Sequence, residues 1–547
     1  SGVLAIRAAL AANANITYKI LYNDAVAMTG GQTNEGGLRP DRIVRELLAM
    51  GVKEVVVVHD PKEGFDPATL PKGVPVHERD ALPQVQERMT KVPGVSAIVY
   101  IQTCAAEKRR RRKRGTFPDP DRRIFINTDV CEGCGDCGVQ SNCVAIVPEE
   151  TELGRKRAID QSACNKDYSC LKGFCPSFVT VDGAAPKKPE AKAVDLPDVP
   201  EPDLPRIDGT WNVVITGVGG TGAVTIGANL AMAAHLDGRG AGMMEMAGLA
   251  QKGGAVHIHC RIGERPEDIS AIRVANGEAD ALIGGDLVTT AHSKTLALVT
   301  RGRTRGVVTS HDTTTGAFTR DPDFRIPVDK LAVKLEGRMG EGVAFLDCSR
   351  LAETLLGDTI FANSILLGMA WQSGLLPVSR EAILRAIEMN GAAVEKNSRA
   401  FEIGRWASVD PDAAAGAAEP KVIAKPRSPE EKIAFREAHL VDYQGKRLAR
   451  KYRETVDGIT DRVLRLAVAE GYHKLLAYKD EYEVARLLTR TRAKVDAAFE
   501  GDARLSYHLA PPILTGTGPD GRPKKRAFGP WIERAFPLLA RFRFLRG

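Results

Sequence analysis

Residues 130–176 read VCEGCGDCGVQSNCVAIVPEETELGRKRAIDQSACNKDYSCLKGFCP and hold seven of the chain's ten cysteines. Cys131, Cys134 and Cys137 follow a C-x2-C-x2-C rhythm, which wraps a short loop around one face of a cubane iron–sulfur cluster. The distant Cys175-Pro176 pair supplies the closing ligand, and Pro176 stops the chain from continuing as helix just after it. Glycines interspersed among the first three cysteines let the backbone fold tightly enough for N–H groups to point at sulfur.

Two other uses of thiols compete with this reading. A structural zinc ion takes four ligands, usually as two separated pairs, whereas this loop crowds three into one turn. A disulfide framework belongs to short secreted chains in oxidising compartments, which this sequence does not suggest. Cys143, Cys164 and Cys170 offer three more thiols, one short of a second cubane. Asp160, Asp167 or the outlying Cys104 would have to complete it, or the centre would hold three irons. One cluster is expected, and a second stays open.

At 547 residues the chain should form several domains, because single cores rarely grow beyond ~250–300 residues. A hydrophobic content of 43% with 27% charged residues is that of a soluble globular protein, and 5% aromatic argues against a base-stacking surface. The net charge of +7 owes much to one run, residues 108–114 (KRRRRKR), which reads as solvated surface in preference to a docking site for an acidic protein partner. No nucleic-acid partner is expected. No apolar stretch approaches ~18 residues, so no membrane helix is expected. With no signal peptide evident after Ser1, the cytoplasm is the expected compartment.

Outward from the cysteines, residues 1–105 alternate helix and strand as in a doubly wound sheet. The run Val55–Val58 reads as a parallel strand buried on both faces. In such sheets ligands sit beyond the carboxyl ends of strands. The strand ITYKILY runs there into Asn23-Asp24-Ala25-Val26-Ala27-Met28-Thr29-Gly30-Gly31-Gln32. Asn23 and a backbone carbonyl can offer oxygen to a hard cation such as magnesium, and Gly30 and Gly31 permit close approach to a phosphate.

Downstream, residues 183–208 are proline-rich and charged and read as an extended tether. The strand WNVVITG follows, then Gly217-Val218-Gly219-Gly220-Thr221-Gly222 opening a helix, a natural anion cradle. A dinucleotide reading falters for want of an acidic residue at the end of a second strand. Cys260 and Cys348 read as buried apolar thiols, and His257 and His259 as polar packing. Residues 407–429 read as a second linker. Beyond them the chain is basic and mainly helical, with Val463, Leu464, Ala467, Leu475, Val484, Leu487 and Leu488 recurring at helical spacing as a core stripe.

The stretches LYNDAVAMTGGQ (residues 21–32), QTCAAEKRRRRKRG (102–115) and CEGCGDC (131–137) together closely resemble the fused indolepyruvate ferredoxin oxidoreductase branch of the 2-oxoacid:ferredoxin oxidoreductases. The similarity continues through the rest of the chain. It implies an α/β multidomain fold. A partial, doubly wound thiamine-diphosphate-binding domain would span 1–115 and a ferredoxin-like 4Fe–4S domain 116–182. A Rossmann-like gamma domain would span 209–406 and a mainly helical C-terminal domain 430–547, with linkers at 183–208 and 407–429.

The resemblance further implies oxidative decarboxylation of a 2-oxoacid, indolepyruvate or another arylpyruvate, to an acyl-CoA, with electrons passing through iron–sulfur to ferredoxin. Asn23 and the Ala25 carbonyl would bind the Mg2+ that grips thiamine diphosphate. Met28 would line the substrate pocket, and Thr29, Gly30 and Gly31 would complete the cofactor loop. CoA is the implied co-substrate, and an assembly of identical subunits is expected. No catalytic acid or base is assigned. Only the second half of the family's thiamine motif is present. The chain therefore reads as a fragment lacking its N-terminal part, its abrupt end after RFRFLRG suggests the same of its C-terminus, and on its own it is expected to be inactive in 2-oxoacid decarboxylation. The rival reading is a non-catalytic electron-transfer or scaffold chain.

Overall fold

The structure is a computed structural model that describes residues 2–25, 35–187, 191–192, 194–219, 222–247, 254–311, 318, 321, 323–418, 428–511, 515–518 and 521–546. The chain divides into two compact units, residues 1–120 with 165–167, and residues 121–164 with 168–547.

The first unit runs α1 (Gly2–Ala11), β1 (Ile16–Tyr22), α2 (Pro40–Ala49), β2 (Glu54–His59), β3 (Val76–Glu78), α3 (Leu82–Met89), β4 (Val95–Ile101) and α4 (Ala105–Lys113). Its strands are all parallel, in the order β1-β4-β2-β3. Because successive strand residues point to opposite faces, Val55 and Val57 join Ile43, Val44 and Leu47 of α2 on one side. Val56 and Val58 join Val85 and Met89 of α3 on the other. Burial on two faces explains the unbroken valine run, and each buried valine contributes roughly 1.5–3 kcal/mol.

The basic run corrects an expectation. Instead of facing water throughout, residues 108–112 are largely engaged within the unit. Glu107 is buried at the start of α4, and Arg110 and Arg111, one turn on, donate to it at 2.8 and 3.1 Å. Burial would raise the Glu107 carboxyl, but these two guanidinium groups hold it below its ordinary value. Lys108 pairs with Glu63, while Arg112 donates to the carbonyls of Pro118 and Asn165 and stacks over Phe117. A buried carboxylate needs cations close by, and helical spacing delivers them from a run that composition alone assigns to solvent. Lys113 and Arg114 remain exposed.

The second unit begins with the cysteine segment: β5 (Arg122–Ile126), α5 (Asp136–Ser141), the hairpin β6 (Ile146–Thr151) and β7 (Gly154–Ile159), and β8 (Phe178–Pro186). It continues through β9 (Thr210–Val218), α6 (Ala223–Leu236), β10 (Gly240–Ala247), β11 (Ala255–Gly263), β12 (Ala281–Gly284), α7 (Leu287–Thr290), α8 (Ser293–Leu296), β13 (Arg305–Thr309), α9 (Val328–Met339) and β14 (Val343–Leu346). Helices α10 (Cys348–Leu356), α11 (Ala362–Gln372), α12 (Arg380–Asn390), α13 (Val394–Val409) and α14 (Pro411–Ala418) complete this part.

A six-stranded sheet, β10-β11-β9-β12-β13-β14, organises residues 210–346. β9, β12, β13 and β14 are parallel, but β11 lies antiparallel beside β9. It fills the place a second parallel strand takes in a dinucleotide-binding βαβ unit, so the sheet departs from a strictly Rossmann-like layout. Against the sheet, α11 and α13 cross at backbone contact: a Cβ on Gly404 would lie 1.9 Å from the Ile365 carbonyl, and one on Gly368 2.0 Å from that of Phe401.

Two stretches read as linkers contain regular or packed structure. Residues 183–186 continue β8, and Val194, Leu196, Val199 and Ile207 pack on the core of the six-stranded region. Residues 411–418 form α14, with Ala414 and Ala418 buried. Proline and alanine content signals an extended or flexible chain, but neither measure sees the partner that buries it.

The C-terminal region contains α15 (Pro429–Tyr443), α16 (Lys446–Asp457), α17 (Arg462–Leu476), α18 (Glu481–Leu488), α19 (Thr491–Ala498), β15 (Phe499–Leu509), β16 (Arg526–Phe528) and α20 (Ala535–Arg541). It is helical as expected, except that β15 pairs antiparallel with β8 of the cysteine segment. The joint sheet runs β16-β15-β8-β5. Leu487, Leu488, Val495, Leu505 and Tyr507 share one core with Val130, Val179 and Val181. The stripe expected to be core is only half buried. Leu487 and Leu488 are inside, but Val463 is 81% and Leu475 78% exposed, because α17 turns Ala469 and His473 inward instead.

Among the described residues no helix is long and apolar enough to cross a membrane.

Candidate functional site

The antiparallel pairing of β5 with β8 sets Ile126 opposite Phe178. The chain leaving β5 and the chain entering β8 therefore start side by side, which brings the Cys131 loop next to Cys175. Asn127, fully buried, fixes the junction. Its N–H donates to the Ser177 carbonyl at 2.8 Å, and its own carbonyl accepts the N–H groups of Val130 and Cys131 at 3.1 and 3.0 Å. Its side-chain amide donates to Thr491 of the C-terminal region at 2.8 Å.

Within the loop, the Gly133 N–H points at Cys131 Sγ at 3.3 Å. Gly133 has φ +73°, and a Cβ there would lie 2.2 Å from the Arg155 carbonyl, so no other residue fits. Cys137 sits in the first turn of α5, and the turn at residues 169–172 closes on it so tightly that a Cβ on Gly173 would lie 3.1 Å from the Cys137 Cα. Cys175 Sγ lies 2.9 Å from Ser177 Oγ.

Cys131, Cys134, Cys137 and Cys175 are free thiols. Burial, reinforced by the negative charge of Cys175, Cys131 and Cys134, pushes the Cys137 thiol up to about 12. Ionising Cys137 in that setting calls for a cationic centre beside it. Among the described residues no three His, Cys, Asp or Glu side chains are arranged to hold a single metal ion. Four soft donors, of which Cys134 is exposed, an N–H aimed at sulfur and an apolar cluster of Ile124, Ile126, Ile146 and Phe178 around Cys131, Cys137 and Cys175 fit a polynuclear iron–sulfur group.

Cys170 is buried in the same apolar cluster, with Cys143 packed against it and Cys164 half-buried. The suggested fourth ligands for a second centre are occupied or remote in the chain. Asp160 Oδ1 caps its own turn, accepting from Ser162 and Ala163, while Asp167 pairs with Arg79 at 3.6 Å. Cys104 stands at the start of α4 in the first unit.

At the carboxyl end of β1, Asn23 Oδ1 accepts the Ala25 N–H at a long 3.4 Å, and the intervening Asp24 has φ +55°. Arg111 donates to the Asp24 carbonyl at 2.9 Å, and a cavity of about 420 Å³ opens between Tyr22, Asp24, Arg39 and Arg111. Oxygen donors beside two guanidinium groups fit a magnesium-bound anion. Met28, Thr29, Gly30 and Gly31 lie outside the described residues. So do Gly220 and Thr221 of the glycine turn before α6. Cys260 and Cys348 are buried, and burial pushes both thiols up to about 12. His257 bonds Thr295 at 3.0 Å, and His259 accepts the Val274 N–H at 2.9 Å.

The sequence reading missed the cations around the cysteine loop. Lys479 donates to the carbonyls of Val130 and Cys131, Lys494 pairs with Asp129, Arg522 with Asp136, and Lys525 donates to the Cys175 carbonyl. Asp136 also accepts the Phe174 N–H at 2.9 Å. Burial would raise its carboxyl, but that bond and Arg522 hold it below its ordinary value. Lys156 and Arg157 of β7 are buried near Cys131 as well. No local motif marks lysines more than 300 residues from the cysteines they serve.

Comparison with known proteins bears on two segments. The family described as pyruvate ferredoxin/flavodoxin oxidoreductase matches residues 212–407, and a family of unknown function (DUF6537) matches residues 429–547. Indolepyruvate oxidoreductase subunit IorB of Archaeoglobus fulgidus is 27% identical over 195 residues, 35% of this chain and 92% of that protein. The same-named subunit of Pyrococcus horikoshii is 29% identical over 203 residues, 36% of this chain and 94% of its own length. The solved gamma subunit of a keto/oxoacid ferredoxin oxidoreductase from Geobacter sulfurreducens aligns over 36% of this chain and 98% of its own, at 23% identity and a TM-score of 0.27. The region that carries the six-stranded sheet is thus the part of this chain that matches the pyruvate ferredoxin/flavodoxin oxidoreductase family.

Proposed function

We propose that Cys131, Cys134, Cys137 and Cys175 hold one 4Fe–4S cluster, and that the protein takes part in the oxidation of a 2-oxoacid whose electrons leave through that cluster to ferredoxin. The observation that carries the reading is the convergence of these four free thiols from two adjacent strand ends. The match of residues 212–407 to the pyruvate ferredoxin/flavodoxin oxidoreductase family supports the coupling of 2-oxoacid oxidation to ferredoxin. Indolepyruvate or another arylpyruvate is the proposed substrate, supported by the names of the curated relatives.

Bound iron–sulfur supplies one-electron transfer, and bound thiamine diphosphate supplies the electron sink for loss of CO2. The chain's own contribution is to hold and shield. Gly133 directs its N–H at Cys131 sulfur, Asn127 locks the loop to β8, and the apolar cluster buries Cys131 and Cys137 while Cys134 stays exposed. Asn23 and the Ala25 carbonyl would hold Mg2+, with Met28, Thr29, Gly30 and Gly31 forming the rest of the loop. CoA would accept the acyl group. Cys143, Cys164 and Cys170 form the candidate set for a second centre. We assign residues 1–115 to the thiamine-binding part, 116–182 to the cluster domain, 209–406 to the gamma domain and 430–547 to the C-terminal domain. A cytoplasmic assembly of identical subunits completes the reading.

The alternative is an electron relay without 2-oxoacid chemistry, and one experiment separates the two. Native protein purified from its source and mixed anaerobically with indolepyruvate, CoA, thiamine diphosphate and Mg2+ should lose its visible cluster band and reduce a viologen dye, faster than with 2-oxoglutarate. Bleaching by dithionite but by no 2-oxoacid would leave the relay standing and sink the enzyme reading.

A further inference from the structure

Two lysines of the segment 429–547 end on the backbone of the first and last cysteines of the candidate cluster site. Lys479 Nζ donates to the carbonyls of Val130 and Cys131, 3.2 Å each, and pairs with Glu132 at 2.7 Å. Lys525 Nζ donates to the Cys175 carbonyl at 3.3 Å and stands 4.8 Å over the Phe178 ring. The first follows α17 and the second precedes β16, so both are delivered by the region that adds β15 to β8. The Lys479 side chain retains only 15% exposure. Burying an ammonium is costly unless negative charge or carbonyl dipoles compensate, and here both come from the ligand loop.

A cluster on four thiolates is anionic, and more so once reduced. Its potential follows net charge, hydrogen bonding and solvent exposure, so fixed positive charge favours the reduced form. We propose that residues 429–547 form a cationic cap on the iron–sulfur site, in which Lys479 and Lys525 clamp the backbone at Cys131 and Cys175 and raise the reduction potential of the cluster between them. The cap rests on the reading of these cysteines as 4Fe–4S ligands. It gives a role to a segment whose family has none assigned, and explains why that segment shares a sheet and a core with the cysteine region rather than standing apart.

The test is a redox titration of the full chain followed by electron paramagnetic resonance, after iron and acid-labile sulfide have been measured on each sample. Lys479→Gln and Lys525→Gln should move the midpoint to more negative potential, Lys525→Arg should keep it, and Lys446→Gln, an exposed lysine of α16, should leave it unchanged. Glu132→Gln removes the carboxylate against Lys479 and should move the midpoint the other way. Midpoints of the two lysine variants equal to wild type at full iron content would overturn the cap. If a lysine variant loses its iron, Glu132→Gln decides, and a shift that is absent or negative overturns it. Wild-type protein lacking iron and sulfide would instead overturn the underlying cluster reading and the cap with it.

Discussion

Two buried imidazoles, His259 and His473, and a half-buried one, His508, show how single residues tie this fold to pH. Burial lowers His259 and His508 to about 4 and His473 to about 3, the last also pressed by its neighbour His439 at 3.1 Å. These folded values lie below the ordinary 6.5 of the unfolded chain. Between pH 6.5 and about 4 the unfolded state therefore binds protons that the folded state refuses. Stability should be full above that window and fall as pH drops through it. We expect the thermal midpoint, followed by far-UV circular dichroism, to decrease from pH 7 to pH 5. The decrease should be smaller in His473→Gln, and an identical slope in that variant would contradict the assignment. At this scale the cysteine rhythm was readable because cluster ligands from one loop must sit at fixed short spacing. The inward turn of His473 was not, since a polar residue leaves no mark in an apolar stripe. Val463 and Leu475 drew the eye to the wrong face of α17 for the same reason.

Among elements, the pairing of β15 with β8 decides most. Leu505 is fully buried in the core that β15 shares with Val179 and Val181. Leu505→Ala should cost roughly 2–5 kcal/mol and should hasten loss of cluster absorbance on warming, because β8 carries the chain straight from Cys175. Val463→Ser, on the exposed face of α17, should stay within about 0.5 kcal/mol of wild type. Equal effects from both in a thermal melt would mean that the shared core does not steady the cysteine region. The parallel strands β1 to β4 were legible from the alternation of apolar runs with helical segments, a local signal. The β8–β15 ladder joins residues more than 300 positions apart, and nothing in either stretch names its partner. The basic run in α4 failed for a related reason: the buried Glu107 that recruits Arg110 and Arg111 is one residue, invisible to composition.

For the whole molecule, the cysteine segment is a structural hub as well as a candidate redox centre. Its β8 strand borders the C-terminal region, and Arg155 of β7 donates to the carbonyl of Phe324, which lies between β13 and α9 of the six-stranded region. A cluster held there would be braced from both sides within one compact unit. The motif predicted such a centre; the brace came from tertiary pairing alone. The central claim is that Cys131, Cys134, Cys137 and Cys175 are iron–sulfur ligands, and one measurement tests it most directly: iron, zinc and acid-labile sulfide per chain in anaerobically purified wild type, Cys175→Ser, Cys260→Ser and Cys348→Ser. The account predicts a brown wild type with about four irons and matching sulfide for each assembled cubane, loss of that cluster in Cys175→Ser, and full retention in the other two. Zinc without labile sulfide in the wild type, or equal loss in all three variants, would contradict it.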